Sequence, residues 1–220
     1  MYLAGIDEAG RGPVLGPLVL AGVVMEKDDI EVLVQKGLAD SKLLKRELRE
    51  ELYQEILEKV IDYKIVKITA QEIDTQRMNA INLNKIELNS IVDILNSLKR
   101  WEKAFVDACD TNAERFELTL QNLVNTNIKA EHFADKKYPI VSAASVIAKV
   151  TRDNEILKAQ KEYGVDFGSG YPNDPKTIKF LKNYYEEKSK LPSIARRSWD
   201  TVRKIIEEQE QSSLDSFFVK

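Results

Sequence analysis

Acidic side chains follow three strand-like segments of the chain. Asp7 and Glu8 end the first apolar run, Asp107 ends a second, and Asp135 follows a third at 128–132. Functional crevices of open α/β sheets lie outside the carboxyl ends of their strands, so we expect these carboxylates to gather. Clustered carboxylates repel one another, and Mg²⁺, which prefers oxygen ligands, relieves that repulsion and bridges protein to phosphate. The pattern predicts a divalent-metal site; the alternative is that these acids are ordinary helix caps and turn residues.

A glycine-rich loop follows the first two acids. The string from Gly5 to Gly12 almost fits a phosphate-binding P-loop, but Arg11 replaces the lysine and Gly12 replaces the hydroxyl residue. Two acids inside the loop would also repel phosphates, which excludes a nucleotide-triphosphate site. Gly10 and Gly12 instead let the backbone approach a ligand closely, or they simply form a tight turn.

Apolar periodicity predicts an α/β domain. The predicted strands are 3–8, 17–25, 63–69, 104–108 and 127–132, and the predicted helices are 42–60, 84–100, 111–124, 139–163, 176–188 and 199–210. A Gly/Pro/Asp loop is expected at 164–175 and a tail at 211–220. Adjacent strands followed by strands that alternate with helices indicate a mixed sheet whose first part is antiparallel.

Composition excludes several classes of protein. The chain has 220 residues, 43% of them hydrophobic, which is typical of a globular domain. A single cysteine, Cys109, excludes an intrachain disulfide framework, and with one histidine, His132, it excludes a classical zinc site. No apolar run reaches the length of a membrane span, and Met1 leads directly into a strand without a signal-peptide pattern. We expect a cytoplasmic protein, and a monomer because nothing indicates an oligomer.

Charge is distributed unevenly along the chain. The net charge is −3, yet the segment 176–204 is strongly basic and the chain before it is acidic. An acidic body with a basic segment suits a site that gathers cations beside a surface that holds a polyanion. The alternative is a solvated basic helix.

Several motifs, in the same order along nearly the whole chain, resemble type 2 ribonuclease H (ribonuclease HII) in its archaeal form. They are Ile6-Asp7-Glu8-Ala9-Gly10-Arg11-Gly12-Pro13-Val14 with Gly16-Pro17, Asp40-Ser41-Lys42, Val106-Asp107-Ala108, Glu131-His132-Phe133-Ala134-Asp135, Tyr138–Lys149 and Gly168-Ser169-Gly170-Tyr171-Pro172-Asn173-Asp174-Pro175. The Gly-Arg-Gly form argues against the type 3 relative. One departure is Phe133, where family members often have lysine, so a phosphate contact is expected to be missing there.

The resemblance implies a ribonuclease H-like five-stranded mixed sheet flanked by helices, with a helical C-terminal region. It implies an endoribonuclease that cuts the RNA strand of RNA–DNA hybrids and cuts 5′ to single ribonucleotides in duplex DNA, for ribonucleotide removal and repair during replication. The metal-binding carboxylates it implies are Asp7, Glu8, Asp107 and Asp135. It also implies that Gly10, Arg11, Gly12 and Tyr171 sense the ribonucleotide: the loop would contact the 2′-hydroxyl, the group that distinguishes RNA from DNA, and the tyrosine would stack near the sugar.

The expected chemistry is a two-metal hydrolysis. A pair of Mg²⁺ or Mn²⁺ ions on the four carboxylates would activate a water and neutralise the departing oxygen, leaving a 3′-hydroxyl and a 5′-phosphate. The candidate phosphate contacts are Lys42, Arg46, Lys149, Arg196 and Arg197, each of which has a structural or surface role as its alternative. His132 and Cys109 are expected to be structural rather than catalytic.

The last residues match a clamp-binding pattern. Gln211 is followed at the motif spacing by Leu214 and then by the aromatic pair Phe217 and Phe218. These apolar side chains would form one plug on a helical turn that docks on a sliding clamp of the PCNA type. The alternative is that the aromatic pair packs back on the protein's own helices.

We therefore expect a catalytic domain at 1–175, a basic helical region packed on it at 176–210, and a clamp-binding tail at 211–220. Two other functions stay open at this point. One is another nuclease or transposase-like enzyme of the same fold, which would not require a ribonucleotide. The other is a non-catalytic adaptor, although a mere binder has no need to concentrate acidic residues beside DNA.

Overall fold

The computed structural model describes residues 1–38 and 46–218, with side chains described as far as residue 211. The strands are β1 (Tyr2–Ala9), β2 (Leu18–Glu26), β3 (Asp62–Ile68), β4 (Lys103–Asp107) and β5 (Ile128–Glu131). The helices are α1 (Lys27–Gln35), α2 (Arg46–Lys59), α3 (Ala70–Met78), α4 (Leu83–Ser97), α5 (Ala113–Val124), α6 (Ala134–Lys137), α7 (Pro139–Tyr163), α8 (Pro175–Lys188) and α9 (Asp200–Phe218).

The five strands form one mixed sheet in the order β3-β2-β1-β4-β5. Strand β1 is antiparallel to β2 and parallel to β4, and β4 is parallel to β5. The predicted mixed sheet with an antiparallel first part is confirmed. Because β1, β4 and β5 run in the same direction, their carboxyl ends lie along one edge of the sheet, where the candidate acids follow them.

The chain divides into two compact units. The first unit, residues 1–9, 19–67 and 82–151, contains nearly all of the sheet. Alternate residues of β2, including Val19, Ala21 and Val23, pack with the first half of α7 in its core. An added Cβ at Gly5 of β1 would lie 2.2 Å from the carbonyl oxygen of Ile140. Only glycine therefore allows the start of α7 to lie this close to β1.

The second unit, residues 10–18, 68–81 and 152–220, is mainly helical. Its core joins Val14 and Leu15 of the glycine-rich loop to Phe167, Phe180 and other apolar residues of the C-terminal half. Leu15 pairs with Ala195 in an isolated antiparallel bridge. Helix α8 begins at a strong cap, in which the Asp174 carboxylate accepts a hydrogen bond from the N–H of Lys176 at 3.0 Å.

The predicted elements are present, and three helices were not predicted. Helix α7 has the predicted bounds, and α2 begins at Arg46, since the predicted residues 42–45 lie outside the described part. Helices α1, α3 and the short α6 were missed, and α9 continues as helix to Phe218 instead of ending before a tail. The functional division at 175/176 and 210/211 stays a prediction. Within the described residues, no helix combines the length and apolar character that a membrane span requires.

Candidate active site

Three carboxylates meet at the ends of β1 and β4. Oxygen atoms of Asp7, Glu8 and Asp107 lie within 4.8 Å of one another. The parallel pairing of β1 with β4 aligns Ile6 with Val106, so the acid that follows each of these residues lies on the same edge. Asp7 is buried, with 5% of its surface exposed, and the other two are half-buried. The structure therefore brings together three of the four acids that were predicted to bind metal.

The pKa of Asp7 is raised to about 7, first by burial and second by the negative charge of Asp107. A hydrogen bond with the Ser145 side chain, a hydrogen bond from the backbone N–H of Glu8 at 2.8 Å and the charge of Lys149 act in the opposite direction. The protein's own donors thus offset only part of the cost of ionising Asp7. A nearby positive charge would stabilise the Asp7 carboxylate further.

The fourth predicted ligand, Asp135, is buried in the short helix α6, with 3% of its surface exposed. It is not part of the three-carboxylate group found among the described residues. The preceding residue is nonetheless joined to that group, because the N–H of Ala134 donates a hydrogen bond of 2.7 Å to Asp107 Oδ1. Phe133, in a left-handed conformation with φ of 58°, makes the turn into α6.

Two residues of α7 act on this site and were only partly anticipated. Ser145, fully buried, bonds to Asp7 and was not singled out from the sequence. Lys149 was predicted as a phosphate contact, and in the structure its charge acts on Asp7. Residues four apart share a helix face, so this spacing was the available signal.

The donor set fits a divalent cation. Hard carboxylate oxygens within 4.8 Å of one another, with the pKa of one raised by burial and a like charge, match the ligands that Mg²⁺ and Mn²⁺ take. A bound cation would supply the stabilisation of the carboxylate that the Ser145 hydrogen bond and the charge of Lys149 do not fully provide.

The glycine-rich loop lies in the second unit, and a buried arginine holds its backbone. Arg196 has no exposed surface and donates to the carbonyl oxygens of Gly10, Arg11 and Gly16 at 2.7, 3.2 and 3.0 Å. The predicted role of Arg196 as a phosphate contact is corrected accordingly. Its guanidinium is enclosed by backbone carbonyls and stabilises the loop.

Tyr171 was predicted to share a site with this loop, and the structure brings the two together. An added Cβ at Gly12 would lie 3.6 Å from Cε1 of the Tyr171 ring. The Arg152 guanidinium carbon lies 5.3 Å from the centre of that ring, and Arg152 donates to the carbonyl oxygen of Ser169 at 3.1 Å. Arg152, not singled out from the sequence, is 5% exposed, and its burial lowers the pKa of its guanidinium.

The other predicted phosphate contacts have different surroundings. Arg46 is exposed and forms an ion pair with Glu50 at 2.8 Å, and Arg197 is also exposed. The backbone N–H of Arg197 donates to Asp74 at 2.8 Å, which fixes its position in the turn before α9. Lys42 lies outside the described residues. The predicted clamp-binding side chains Leu214, Phe217 and Phe218 also lie outside the described part, whereas Gln211 is exposed.

Three further residues from the sequence stay outside the carboxylate group. His132 and Phe133 are exposed, the latter at 60%, and Lys136 lies 5.6 Å from the centre of the Phe133 ring. Cys109 is half-buried and is not in a disulfide.

Comparisons with known proteins agree with this geometry. The ribonuclease HII family profile matches residues 4–202. The chain is 47% identical to ribonuclease HII of Pyrococcus furiosus over 227 residues, which cover 100% of both chains. The crystal structure of ribonuclease H2 from Pyrococcus horikoshii superposes with a TM-score of 0.88 at 44% identity, over 96% of this chain and 99% of that one. The structure of the PCNA:RNase HII complex from Archaeoglobus fulgidus gives 0.83 at 40% identity, over 91% and 96%.

The fold and the carboxylate group define the class of the protein, a metal-dependent nuclease with a ribonuclease H-like fold. Within this class the chain belongs to the ribonuclease HII family, as the sequence resemblance predicted. It is accordingly an endoribonuclease that acts on RNA–DNA hybrids. This result decides against the non-catalytic adaptor.

Proposed function

We propose that the enzyme also cuts on the 5′ side of single ribonucleotides embedded in duplex DNA, leaving a 3′-hydroxyl and a 5′-phosphate, and so serves ribonucleotide removal during replication. The observation that carries the proposal is the group formed by Asp7, Glu8 and Asp107 at one edge of the sheet. Asp135 is proposed as the fourth ligand, because its neighbour Ala134 is hydrogen-bonded to Asp107.

The proposed chemistry assigns a separate role to each group of residues. Two divalent ions, Mg²⁺ or Mn²⁺, would supply an activated water and charge stabilisation for the leaving oxygen. The carboxylates would hold the ions, and the hydrogen bond with Ser145 orients Asp7. The positive charge of Lys149 lies near Asp7, where it would stabilise the negative charge of an incoming phosphate. The buried position of Asp7 limits competing hydration, which strengthens each of these electrostatic interactions.

Ribose recognition is proposed for Gly10, Arg11, Gly12 and Tyr171. Only Ala9 separates Glu8 from Gly10 in the chain, so the loop leaves β1 directly after two proposed metal ligands. Gly12 lies against the Tyr171 ring, because an added Cβ would be 3.6 Å from Cε1, so a sugar bound there would contact both backbone and ring. Donors aimed at a 2′-hydroxyl are unsatisfied by DNA, which is how such a site would prefer RNA.

The test is cleavage of an end-labelled DNA duplex that contains one ribonucleotide, compared with an all-DNA duplex and an RNA–DNA hybrid. We expect a single cut 5′ to the ribonucleotide with Mg²⁺ or Mn²⁺, none with chelator, and none on all-DNA. Asp7→Asn should abolish cleavage of both ribose-containing substrates and leave a folded protein. A cut hybrid with an uncut single-ribonucleotide duplex would refute the proposal without affecting the family assignment.

We also propose that the C-terminal segment binds a sliding clamp. The related ribonuclease HII from Archaeoglobus fulgidus was solved in complex with PCNA. In this chain the motif from Gln211 to Phe218 falls in the last turns of α9, and Gln211 is exposed. An amphipathic helical turn that lays its apolar face into a groove is a common form of peptide docking.

Deleting residues 211–220 should remove measurable affinity for the clamp in calorimetry and leave cleavage of short duplexes unchanged. The matched control deletes only residues 219–220, which keeps Gln211 through Phe218 and should keep clamp affinity. Equal affinity of both deletions would contradict the assignment. Sedimentation of the free protein would test the accompanying proposal that it is a monomer.

A further inference from the structure

The buried arginine behind the glycine-rich loop is the feature from which a further inference follows. We infer that Arg196 is a positioning residue that aims the backbone N–H groups of Arg11 and Gly12 at the ribonucleotide. The inference rests on the proposed ribose recognition by this loop and extends it to a residue that the substrate does not touch.

The direction of these N–H groups follows from peptide geometry. Arg196 Nη2 and Nη1 bond to the carbonyl oxygens of Gly10 and Arg11, two consecutive peptide units. No peptide bond among the described residues is cis. In a trans peptide the N–H points opposite to the C=O, so the N–H groups of Arg11 and Gly12 point away from the guanidinium. Two successive N–H groups on one side of a loop form a concavity that accepts hydroxyl or phosphate oxygen.

Three further contacts hold Arg196, two made by its guanidinium and one by its backbone. Its Nε donates to the carbonyl oxygen of Gly16, which closes the loop from 10 to 16 around one side chain. The guanidinium carbon of Arg196 lies 4.9 Å from the centre of the Trp199 ring, and the backbone N–H of Arg196 donates to the carbonyl oxygen of Val14 at 2.9 Å. A planar fork with this many fixed donors holds several acceptors at once, which a lysine ammonium on a flexible stem cannot do.

The turn that carries Arg196 is also held from outside the loop. Asp74 accepts hydrogen bonds from the N–H groups of Arg197 and Ser198 at 2.8 and 3.0 Å, and from the Ser198 hydroxyl at 2.6 Å. Asp74 is 8% exposed, so these bonds are shielded from water. Asp74 thus holds the two residues that follow Arg196, and Trp199 packs against the Arg196 side chain, so the position of Arg196 beneath the loop is fixed.

A charged partner also changes the chemistry of the loop. A guanidinium bonded to a carbonyl polarises that peptide unit, which strengthens the N–H on its far side as a donor. Arg196 would therefore both orient and strengthen the two donors. Its loss should reduce the preference for ribose while leaving unchanged those contacts to DNA phosphates that do not involve the loop.

The experiment measures affinity for a DNA duplex with one ribonucleotide and for the matching all-DNA duplex, by fluorescence anisotropy with Ca²⁺ in place of Mg²⁺. Wild-type protein should prefer the ribonucleotide duplex. Arg196→Lys, which keeps the charge, should reduce that preference about tenfold and leave all-DNA affinity within about twofold. In Mg²⁺, turnover on the ribonucleotide duplex should fall about 10- to 100-fold.

The matched control is Arg77→Lys. Arg77 is exposed, and its guanidinium carbon lies 5.3 Å from the centre of the same Trp199 ring, but within the described part of the chain no hydrogen bond joins it to the loop carbonyls. It should keep the wild-type preference. Trp199→Phe is a milder second variant that weakens the support of Arg196 and should reduce the preference in the same direction, so it carries the test if Arg196→Lys does not fold.

The outcomes separate the two ideas. A wild-type preference retained in the folded variants would overturn the role of Arg196 alone. Equal loss of affinity for both duplexes would also overturn it, because it would indicate general structural damage instead of lost aim. A wild-type protein with no preference would overturn the proposed ribose recognition itself. A preference that falls in both variants and stays in Arg77→Lys would support the inference.

Discussion

Replacing Asp7 by Asn should stabilise the metal-free protein, and it should do so more strongly as the pH rises. Burial and the charge of Asp107 raise the pKa of Asp7 to about 7, compared with about 3.9 for an unperturbed aspartate. Each tenfold change in proton affinity corresponds to about 1.4 kcal/mol, so ionising Asp7 in the folded protein costs about 4 kcal/mol above pH 7.

The sign of the pH dependence follows from proton linkage. A carboxyl whose pKa is higher in the folded state binds more protons there than in the unfolded state between about pH 4 and pH 7. The free energy of unfolding of the wild type therefore falls across that range, through this group, and stays low above it. Asn is neutral throughout and lacks this dependence. The advantage of Asp7→Asn over wild type should grow by about 2 kcal/mol between about pH 5.5 and pH 8.

The absolute gain at pH 8 will be smaller than the full ionisation cost. The hydrogen bonds with Ser145 and from the Glu8 backbone favour the carboxylate, and Asn accepts them less well. This loss is nearly the same at both pH values, so it lowers the stability advantage of Asp7→Asn by a constant amount and does not change how that advantage varies with pH. The difference between the two pH values is therefore the sharper measurement.

The assay is urea unfolding with chelator at both pH values, followed by tryptophan fluorescence. Asp166→Asn is the control, because the ion pair with Lys176 lowers the pKa of Asp166 and its titration is complete below this range. The control should show no change between the two pH values. An Asp7→Asn advantage that is constant or shrinks with pH would refute the reasoning. Adding Mg²⁺ should stabilise wild type more than Asp7→Asn, because binding to the folded state alone raises stability.

Substitutions at two further residues, Gly5 and Tyr171, test the geometry. Gly5→Ala should destabilise the protein by about 3 kcal/mol in urea unfolding, because the added Cβ would lie 2.2 Å from the backbone oxygen of Ile140. The control is Gly164→Ala, whose added Cβ would have no atom within 4 Å. It should lower the free energy of unfolding by only about 1 kcal/mol, because of its φ of 68°. Tyr171→Phe keeps the ring beside Arg152, so its rate of cleavage of the ribonucleotide duplex should stay within about threefold of the wild-type rate. Tyr171→Ala removes the ring, and its rate should fall about tenfold or more. Similar rates for the two variants would contradict a role for the ring.

The mixed character of the sheet and the meeting of the acids that end β1 and β4 were predictable from local patterns. Apolar runs that end in Asp7 and Asp107 are sequence features, and the rule on strand ends places such acids at one edge. The burial of Asp7 and the bond with Ser145 were not predictable, because they depend on how closely α7 approaches β1. In the sequence, the only sign of this close packing is the glycine at position 5, where any side chain would collide with the backbone of Ile140.

The two longer helices among the three that were missed, α1 and α3, escaped prediction for different reasons. Helix α1 follows β2 without a turn residue and buries only Ile30 and Leu33, so its periodicity is too weak to separate it from a loop. Helix α3 begins with a capping box, in which Thr69 and Glu72 exchange hydrogen bonds. That signature was present in the sequence and would have identified the helix start.

Arg196 shows where reading charge along the chain fails. Its segment is basic, which usually indicates a solvated or polyanion-binding surface, yet its side chain is fully buried. Its acceptors, at Gly10, Arg11 and Gly16, lie about 180 positions earlier in the chain, and no local pattern connects them.

Asp7 and Arg196 are both buried and ionisable. Their surroundings show that Asp7 is suited to bind a cation and that Arg196 supports the loop. Arg196 is enclosed by three carbonyl oxygens and an aromatic face, so the protein itself compensates its charge. Asp7 has donors of its own, yet burial and Asp107 outweigh them and leave its pKa near 7. A buried charge that the protein's own groups compensate supports the structure. A buried group whose ionisation still costs free energy marks a place where a ligand of opposite charge can bind. On this criterion the cation belongs at the carboxylates, and the arginine belongs to the framework of the loop.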